Sequence, residues 1–436
     1  MTISLDRFNR VIKNQRTMQV SGKVTKVIGL LIEGHCPGVS IGSLCRIGVG
    51  LTRDYVLAEV VGFRDDKVLL MPLGGLSGIT PGGTITLVDD QPKVQVGEAM
   101  LGRVLDGMLR PLDGKGPLDL HHEVPLYAKP LNPMQRSRIE EPLDLGIRAL
   151  NGMLTCGKGQ RLGIMAGSGV GKSVLLGMIA RYTSAAVNVI ALIGERGREL
   201  REFIERDLGE EGLKRSVVVV VTSDQSALLR SRGALVATAV AEYFRAQGQD
   251  VLLMMDSLTR FCMAHREIGL SAGEPPTTKG YPPSVFNILP RLLERAGTSR
   301  GQGSITGLYT VLVEGDDMNE PVADAARSIL DGHIVLSRRL AHLGHYPAID
   351  VLQSASRVMM DIVPPEHLEL TLKLREILAV YSEAEEMINI GAYVKGKNKR
   401  IDYAIQRIDA LNAFLRQRMG ESANMVQTFE AMRTVP

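Results

Sequence analysis

Ala166-Gly167-Ser168-Gly169-Val170-Gly171-Lys172-Ser173 is the stretch whose reading decides the fold. Before it, Arg161 to Met165 reads as a short buried strand. After it, Val174 to Tyr182 reads as a helix, with Leu175, Leu176, Ile179 and Tyr182 at near-helical spacing. A strand, a glycine-rich turn and a helix opening on Gly-Lys-Ser make a cradle for phosphate. The glycines let consecutive backbone N–H groups converge on the anion, and the helix N-terminus adds the positive end of its dipole. Gly167, Ser168, Gly169, Val170, Gly171 and Val174 are the expected contact set. Lys172 reaches the β- and γ-phosphates, and Ser173 ligates Mg²⁺. The strict GxxxxGK[ST] pattern has glycine where this chain has Ala166, a mild departure because Gly167, Gly169 and Gly171 remain. A bare strand–helix turn with a solvated lysine is the competing reading, and it leaves the adjacent Lys-Ser pair unexplained.

Outward from this turn, the bulk numbers set limits. A chain of 436 residues, 44% hydrophobic and 23% charged, has room for two or three domains and a substantial core. Its net charge of +3 is too small to argue for a nucleic-acid or membrane partner. Cys36, Cys45, Cys156 and Cys262 form no CxxC pair and no metal-ligand spacing, so reduced thiols and a cytoplasmic location are expected. No uncharged apolar run reaches the roughly 18 residues that span a bilayer. Asp6, Arg7, Arg10 and Lys13 stand where a signal peptide would be apolar.

Residues 1–17 read as a short amphipathic helix with Leu5, Phe8 and Ile12 on one face. From Met18 to Val88 the pattern has period two, broken by Pro37-Gly38, Gly74-Gly75 and Pro81-Gly82-Gly83. Five or six short strands over about 70 residues suggest a small closed barrel. Only Tyr55 and Phe63 supply aromatic rings there, so no stacking platform for nucleic acid is evident. Residues 97–160 are dense in Gly and Pro and read as loops wrapped on a core. His121-His122-Glu123 is not read as a metal cluster, because adjacent histidines on extended chain point different ways. From Arg161, continuous apolar strands alternate with helices: strands at Asn188–Ile193, Ser216–Thr222 and Val251–Met255, helices at Arg198–Leu208 and Ala227–Gln247. That alternation implies a parallel sheet covered on both faces, with ligands at the carboxyl ends of its strands. From Pro364 the text is helical, at 366–377, 382–388 and 399–418. The expectation is a multidomain α/β protein: a β-barrel domain with a short N-terminal helix over 1–90, a P-loop domain with a mostly parallel sheet over 91–363, and a helical domain over 364–436.

Strand ends are then where chemistry belongs. Asp256 closes Val251–Met255, as an acid that holds Mg²⁺ does; it is equally placed to cap the following helix. Glu195 closes another strand, beside Arg196. A carboxylate here can polarise the water that attacks a γ-phosphate, with Arg196 on the phosphate oxygens. A solvated ion-pair cluster at a helix start is the alternative reading of Glu195-Arg-Gly-Arg-Glu199.

The P-loop, GERGRE (Gly194 to Glu199), DSLTRF (Asp256 to Phe261), KGYPPSVF (Lys279 to Phe286), VLVEGDDMNEPVAD (Val311 to Asp324), ILDGHIVLSR (Ile329 to Arg338), HYPAID (His345 to Asp350) and SASRVM (Ser354 to Met359) occur in one order. Over nearly the whole chain that order resembles the hexameric rotary ATPase family, whose catalytic subunits drive ATP synthases. AGSGVGKS and KGYPPSVFNILPRLLERAG look closest to its flagellum-specific, type III export branch. The resemblance implies a RecA-like nucleotide-binding core that hydrolyses ATP with Mg²⁺. It implies that Glu195 is the catalytic carboxylate, Arg196 a γ-phosphate contact, Asp256 the Mg²⁺-supporting acid with Glu199 behind it, and Arg260 a phosphate-sensing arginine. Tyr346 would pack on adenine, and Arg357 would reach the neighbouring subunit's nucleotide. It further implies a homo-hexamer, stalk and regulator proteins, export chaperones and substrate proteins as partners, no nucleic acid, and at most peripheral attachment to the inner membrane. The loop 270–281 would face the ring's pore. An injection-type secretion ATPase and a rotary synthase subunit are the nearest alternatives. Two others are a non-catalytic ring subunit, which Glu195 and Asp256 argue against, and an RNA-driven ring translocase.

Overall fold

A computed structural model describes residues 20–50, 54–301, 303–313, 315 and 317–435. The helix expected over 1–17 lies outside them. The chain divides into two compact units. One comprises the residues up to Pro92 with Ile268–Glu274; the other comprises Lys93–Glu267 and Pro275–Pro436.

In the first unit, β1 (Ser21–Ile28), β2 (Leu31–His35), β3 (Leu44–Gly48), β4 (Tyr55–Arg64), β5 (Lys67–Pro72) and β6 (Thr84–Asp89) close a barrel in the order β1-β2-β5-β4-β3-β6. Val24, Ile32, Cys45, Ile47, Ala58, Val60, Leu70 and Ile85 fill its interior. β2 was not among the strands read from the sequence, because Glu33 and Gly34 interrupt its apolar run. Both have structural reasons. Glu33 is buried and paired with Arg64 at 3.1 Å and Lys67 at 3.8 Å. A Cβ on Gly34 would lie 2.3 Å from the Ile85 side chain.

The second unit is built on a nine-stranded sheet. Its strands are β7 (Arg103–Asp106), β8 (Arg161–Ala166), β9 (Val187–Glu195), β10 (Ser216–Thr222), β11 (Asp250–Asp256), β12 (Ser304–Leu312), β13 (Gly332–Leu336) and β14 (Ile349–Ser356), with the two-residue Gly297–Thr298 paired to β12. The order is β14-β13-β8-β12-β11-β9-β10-β7. From β13 to β7 every neighbouring pair is parallel, and β14 returns antiparallel to β13. The apolar runs are those of strands covered on both faces: Val217–Val221 are all buried. β7 lies in the stretch read as loops. Buried Arg103 disguises it, held by a two-pronged bond to Asp113 at 2.8 and 3.0 Å.

The helices that matter for the site are α1 (Arg148–Met153), α2 (Lys172–Tyr182), α3 (Gly197–Glu202), α4 (Ala227–Ala246), α5 (Leu258–Ala272), α6 (Pro283–Leu293), α7 (Pro321–Ile329), α8 (Pro365–Asn389), α9 (Lys399–Leu415) and α10 (Met425–Thr434). The expected helix at 198–208 is instead α3 followed by a π-helical turn, Phe203–Leu208. The expected pair at 366–377 and 382–388 is the single helix α8, and α10 was not foreseen. α8, α9 and α10 converge on α1. The Gly152 carbonyl accepts bonds from His367 and Thr371, both at 2.9 Å, and a Cβ there would meet Met432, Thr428 and Phe414. Among the described residues no helix is long and apolar enough to cross a membrane. The four cysteines are free and buried, and burial pushes the Cys45 thiol up to about 12.

Candidate functional site

β8 ends at Ala166, and α2 begins at Lys172 on an uncapped N-terminus. Between them Gly169 and Gly171 have φ of 76° and 88°, a left-handed conformation that disfavours a side chain. Gly171 is doubly constrained, because a Cβ there would touch the Tyr346 ring at 3.4 Å. Val170 is buried and anchors the loop, while Ser168, Gly169 and Ser173 face solvent.

Two strand ends deliver charge to this loop, Glu195 from β9 and Asp256 from β11. Lys172 Nζ donates to Asp256 Oδ1 at 2.5 Å and lies 3.7 Å from Glu195 Oε1. Parallel pairing sets both carboxylates at the same edge of the sheet: Asp256 is level with Leu192 of β9, and Glu195 follows three residues on, past a register irregularity after Ile193. Asp256 is only 4% exposed and accepts a further bond from the Thr310 hydroxyl at 2.6 Å. Burial raises the pKa of Glu195; Lys172 opposes that shift, and the negative charge of Asp256 and a hydrogen bond with Glu199 add to it. The cluster is therefore two carboxylates sharing one ammonium, at the carboxyl edge of the sheet.

Arg260, one helical turn past Asp256, lies against Gly194: a Cβ on that glycine, whose φ is 72°, would sit 3.0 Å from the arginine's Cβ. Its Nε is buried without a partner, a donor held in reserve beside the acidic pair. Arg196 and Glu199 stand further out, paired at 3.6 Å and exposed.

A cavity of about 990 Å³ opens beside the loop, lined by Gly171, Val174, Met178, Tyr346, Pro347 and Met419 among others. Its far wall, Arg416 to Glu421, comes from the C-terminal segment. Buried Gln417 fastens it: its amide donates to the Gly146 and Glu421 carbonyls at 2.8 and 2.9 Å and accepts from the Arg148 N–H at 2.8 Å. No local sequence pattern marks Gln417, Arg148 or Met419, which were not among the expected residues.

Arg357 is not brought to this loop. Ala166 is level with Leu336, and Leu336 with Ile349, at the carboxyl edge; β14 then runs back, so that Ser356 is level with Gly332. Arg357 thus lies at the opposite edge of the sheet, four strand positions or roughly 13 Å away. It is exposed, with its backbone N–H on the Asp331 carbonyl at 3.0 Å and its guanidinium on the Arg327 carbonyl at 3.2 Å. His122, from the triplet set aside above, packs its ring on Tyr243 at 5.3 Å.

Three family descriptions match in series. The beta-barrel domain of the ATP synthase alpha/beta family matches 24–87, the nucleotide-binding domain of that family 146–356, and the T3SS EscN ATPase C-terminal domain 363–434. The flagellum-specific ATP synthase of Bacillus subtilis is 54% identical across 95% of this chain and 94% of its own. The type 3 secretion system ATPase of Sinorhizobium fredii is 51% identical across 94% and 91%. The assembled ATPase EscN of the enteropathogenic E. coli type III secretion system superposes with a TM-score of 0.89 at 46% identity, covering 95% of this chain and 99% of that one. The chain belongs to the ATP synthase alpha/beta family, and within it to the ATPases of flagellar and type III protein export.

Proposed function

We propose that this chain hydrolyses ATP with Mg²⁺ in a homo-hexameric ring at the flagellar protein export apparatus. One observation carries the catalytic part: Lys172, Glu195 and Asp256 meet at the carboxyl edge of the sheet, beside a glycine cradle that ends in an uncapped helix. The anion of a triphosphate suits that helix end, and Lys172 moves from the carboxylates to the β- and γ-phosphates. The donors on hand for a cation are hard oxygens, the Ser173 hydroxyl and the Asp256 carboxylate with Glu199 behind, a set that fits Mg²⁺ and its retained waters. Bound there, Mg²⁺ neutralises charge on the β- and γ-phosphate oxygens.

Glu195 is the group that takes a proton from the attacking water. Its burial leaves it more basic than an exposed glutamate. Arg260 and Arg196 hold the departing phosphate, and Tyr346 covers the base above Gly171. Arg357 completes the site of the neighbouring subunit. Residues 1–90 form the N-terminal domain that contains the barrel, residues 91–363 form the catalytic domain, and residues 364–436 meet export chaperones and substrates, with a stalk protein as a further partner of the ring. An EscN structure described in complex with its central stalk EscO supports the stalk assignment. The regulator and the inner membrane would hold the ring peripherally. The flagellar assignment, over an injection system, rests on flagellum-specific relatives at 54% and 52% identity; secretion ATPases follow at 51% and further flagellum-specific relatives at 48%.

The test is Glu195→Gln. It keeps nucleotide affinity, because the cradle and Lys172 are intact, and loses turnover by about 10²- to 10⁴-fold, the usual worth of a positioned base. Turnover at the parent rate would overturn the assignment.

A further inference from the structure

One buried polar side chain touches the site without a role in the scheme above. Thr310 is fully buried on β12 between Tyr309 and Val311, neither of which has exposed surface. A hydroxyl is costly in such surroundings unless it is bonded, and valine would suit a buried strand better. Its single proton has two acceptors within reach, Asp256 Oδ1 at 2.6 Å and the Met255 carbonyl at 3.4 Å. The shorter bond, to a carboxylate, is of the charge-assisted kind. The sheet dictates the contact: Met255 is level with Tyr309 across the parallel pair β11–β12, so the next residue on each strand, Asp256 and Thr310, also meet.

We infer that Thr310 is a positioning residue that fixes the rotation of the Asp256 carboxylate for the metal. This rests on the reading of the site given above. Lys172 and Thr310 both donate to Oδ1, and Oδ2 takes neither bond. When phosphates draw Lys172 away, the tie from Thr310 is the one that stays. It sets which oxygen remains available to the waters of a cation. Partners of this kind, one bond removed from a metal, are worth about 10- to 100-fold in metal affinity or activity.

The experiment uses the full chain and a fluorescent ADP analogue, titrated at fixed Mg²⁺ concentrations and in EDTA. Thr310→Val is expected to raise the Mg²⁺ midpoint of nucleotide binding about 10-fold or more, to leave affinity in EDTA unchanged, and to lower kcat in parallel. Thr310→Ser, which keeps the donor, restores all three. In an Asp256→Asn background Thr310→Val adds no further loss, since the residue acts through that carboxylate. Should the valine variant fail to fold, Thr310→Cys, a weaker donor of similar size, carries the same test. An unchanged Mg²⁺ midpoint, or equal weakening with and without Mg²⁺, overturns the inference. A parent chain with no Mg²⁺-dependent binding at all would instead overturn the underlying reading of the site.

Discussion

Glu195 sits where opposing influences meet. Withdrawal from water and the nearby Asp256 charge favour its protonated form, Lys172 favours the ionised one, and the first influence prevails. As a base it works only when ionised, so activity falls as pH drops through its raised pKa. The acid limb of kcat/KM is therefore expected above the ordinary glutamate value of about 4.3. A pH–rate profile checks this, and a limb at the ordinary value would mean that burial does not govern the group. The glycine cradle and the acids at the strand ends were legible in the sequence because each follows from a local pattern: a turn needing positive φ, or a charge ending an apolar run. Thr310 and Gln417 were not. One is a lone hydroxyl inside a strand, visible only once β11 and β12 are in register. The other makes two of its three side-chain bonds to partners about 270 residues away in the chain.

Among elements, the parallel strands β8, β9, β10 and β11 were legible because continuous apolar runs have few other uses, while β12 and β13 were not read as strands. β2 and β7 were hidden by the polar residues they bury, Glu33 and Arg103, whose partners lie outside their own stretches. α8 and α9 were legible as helical text, while α10 and the grip of all three on α1 were not. That grip shapes the cavity beside the glycine cradle, proposed above to take the base, and Gln417 is its fastening. Gln417→Ala leaves the Arg148 N–H without its partner and strips the Gly146 carbonyl of one of its two donors, the Ala423 N–H at 3.1 Å remaining. It should cost about 2–3 kcal/mol, at roughly 1 kcal/mol for each lost bond. Thermal melting reads the loss, and steady-state kinetics should show a higher KM for ATP with little change in kcat. The reverse pattern, a kcat effect with KM intact, would place the Arg416–Glu421 wall outside base binding.

For the whole molecule, the direction of β14 underlies the proposal that Arg357 serves a neighbouring subunit. Subunits carrying Lys172→Ala cannot hold triphosphate yet still offer Arg357. Subunits carrying Arg357→Ala bind it yet lack the neighbour's guanidinium, at a cost of about 10³- to 10⁵-fold in rate. Each preparation alone should be inactive. Mixed before assembly, they should regain measurable ATPase activity wherever an Arg357→Ala cradle adjoins a Lys172→Ala subunit. Phosphate release from mixtures of varied ratio reads this, and silence at every ratio would mean that Arg357 does not act across the boundary.

Because β14 doubles back, carrying its arginine to the edge opposite the cradle, donor and acceptor surfaces are different faces of one chain. Contacts of that kind join head to tail. An open arc then always has one idle cradle at its end, and every intermediate on the way to closure is a partial enzyme. Under the proposed role of Arg357, closing the circle completes the last idle unit, so turnover per subunit reaches its full value only in the closed ring.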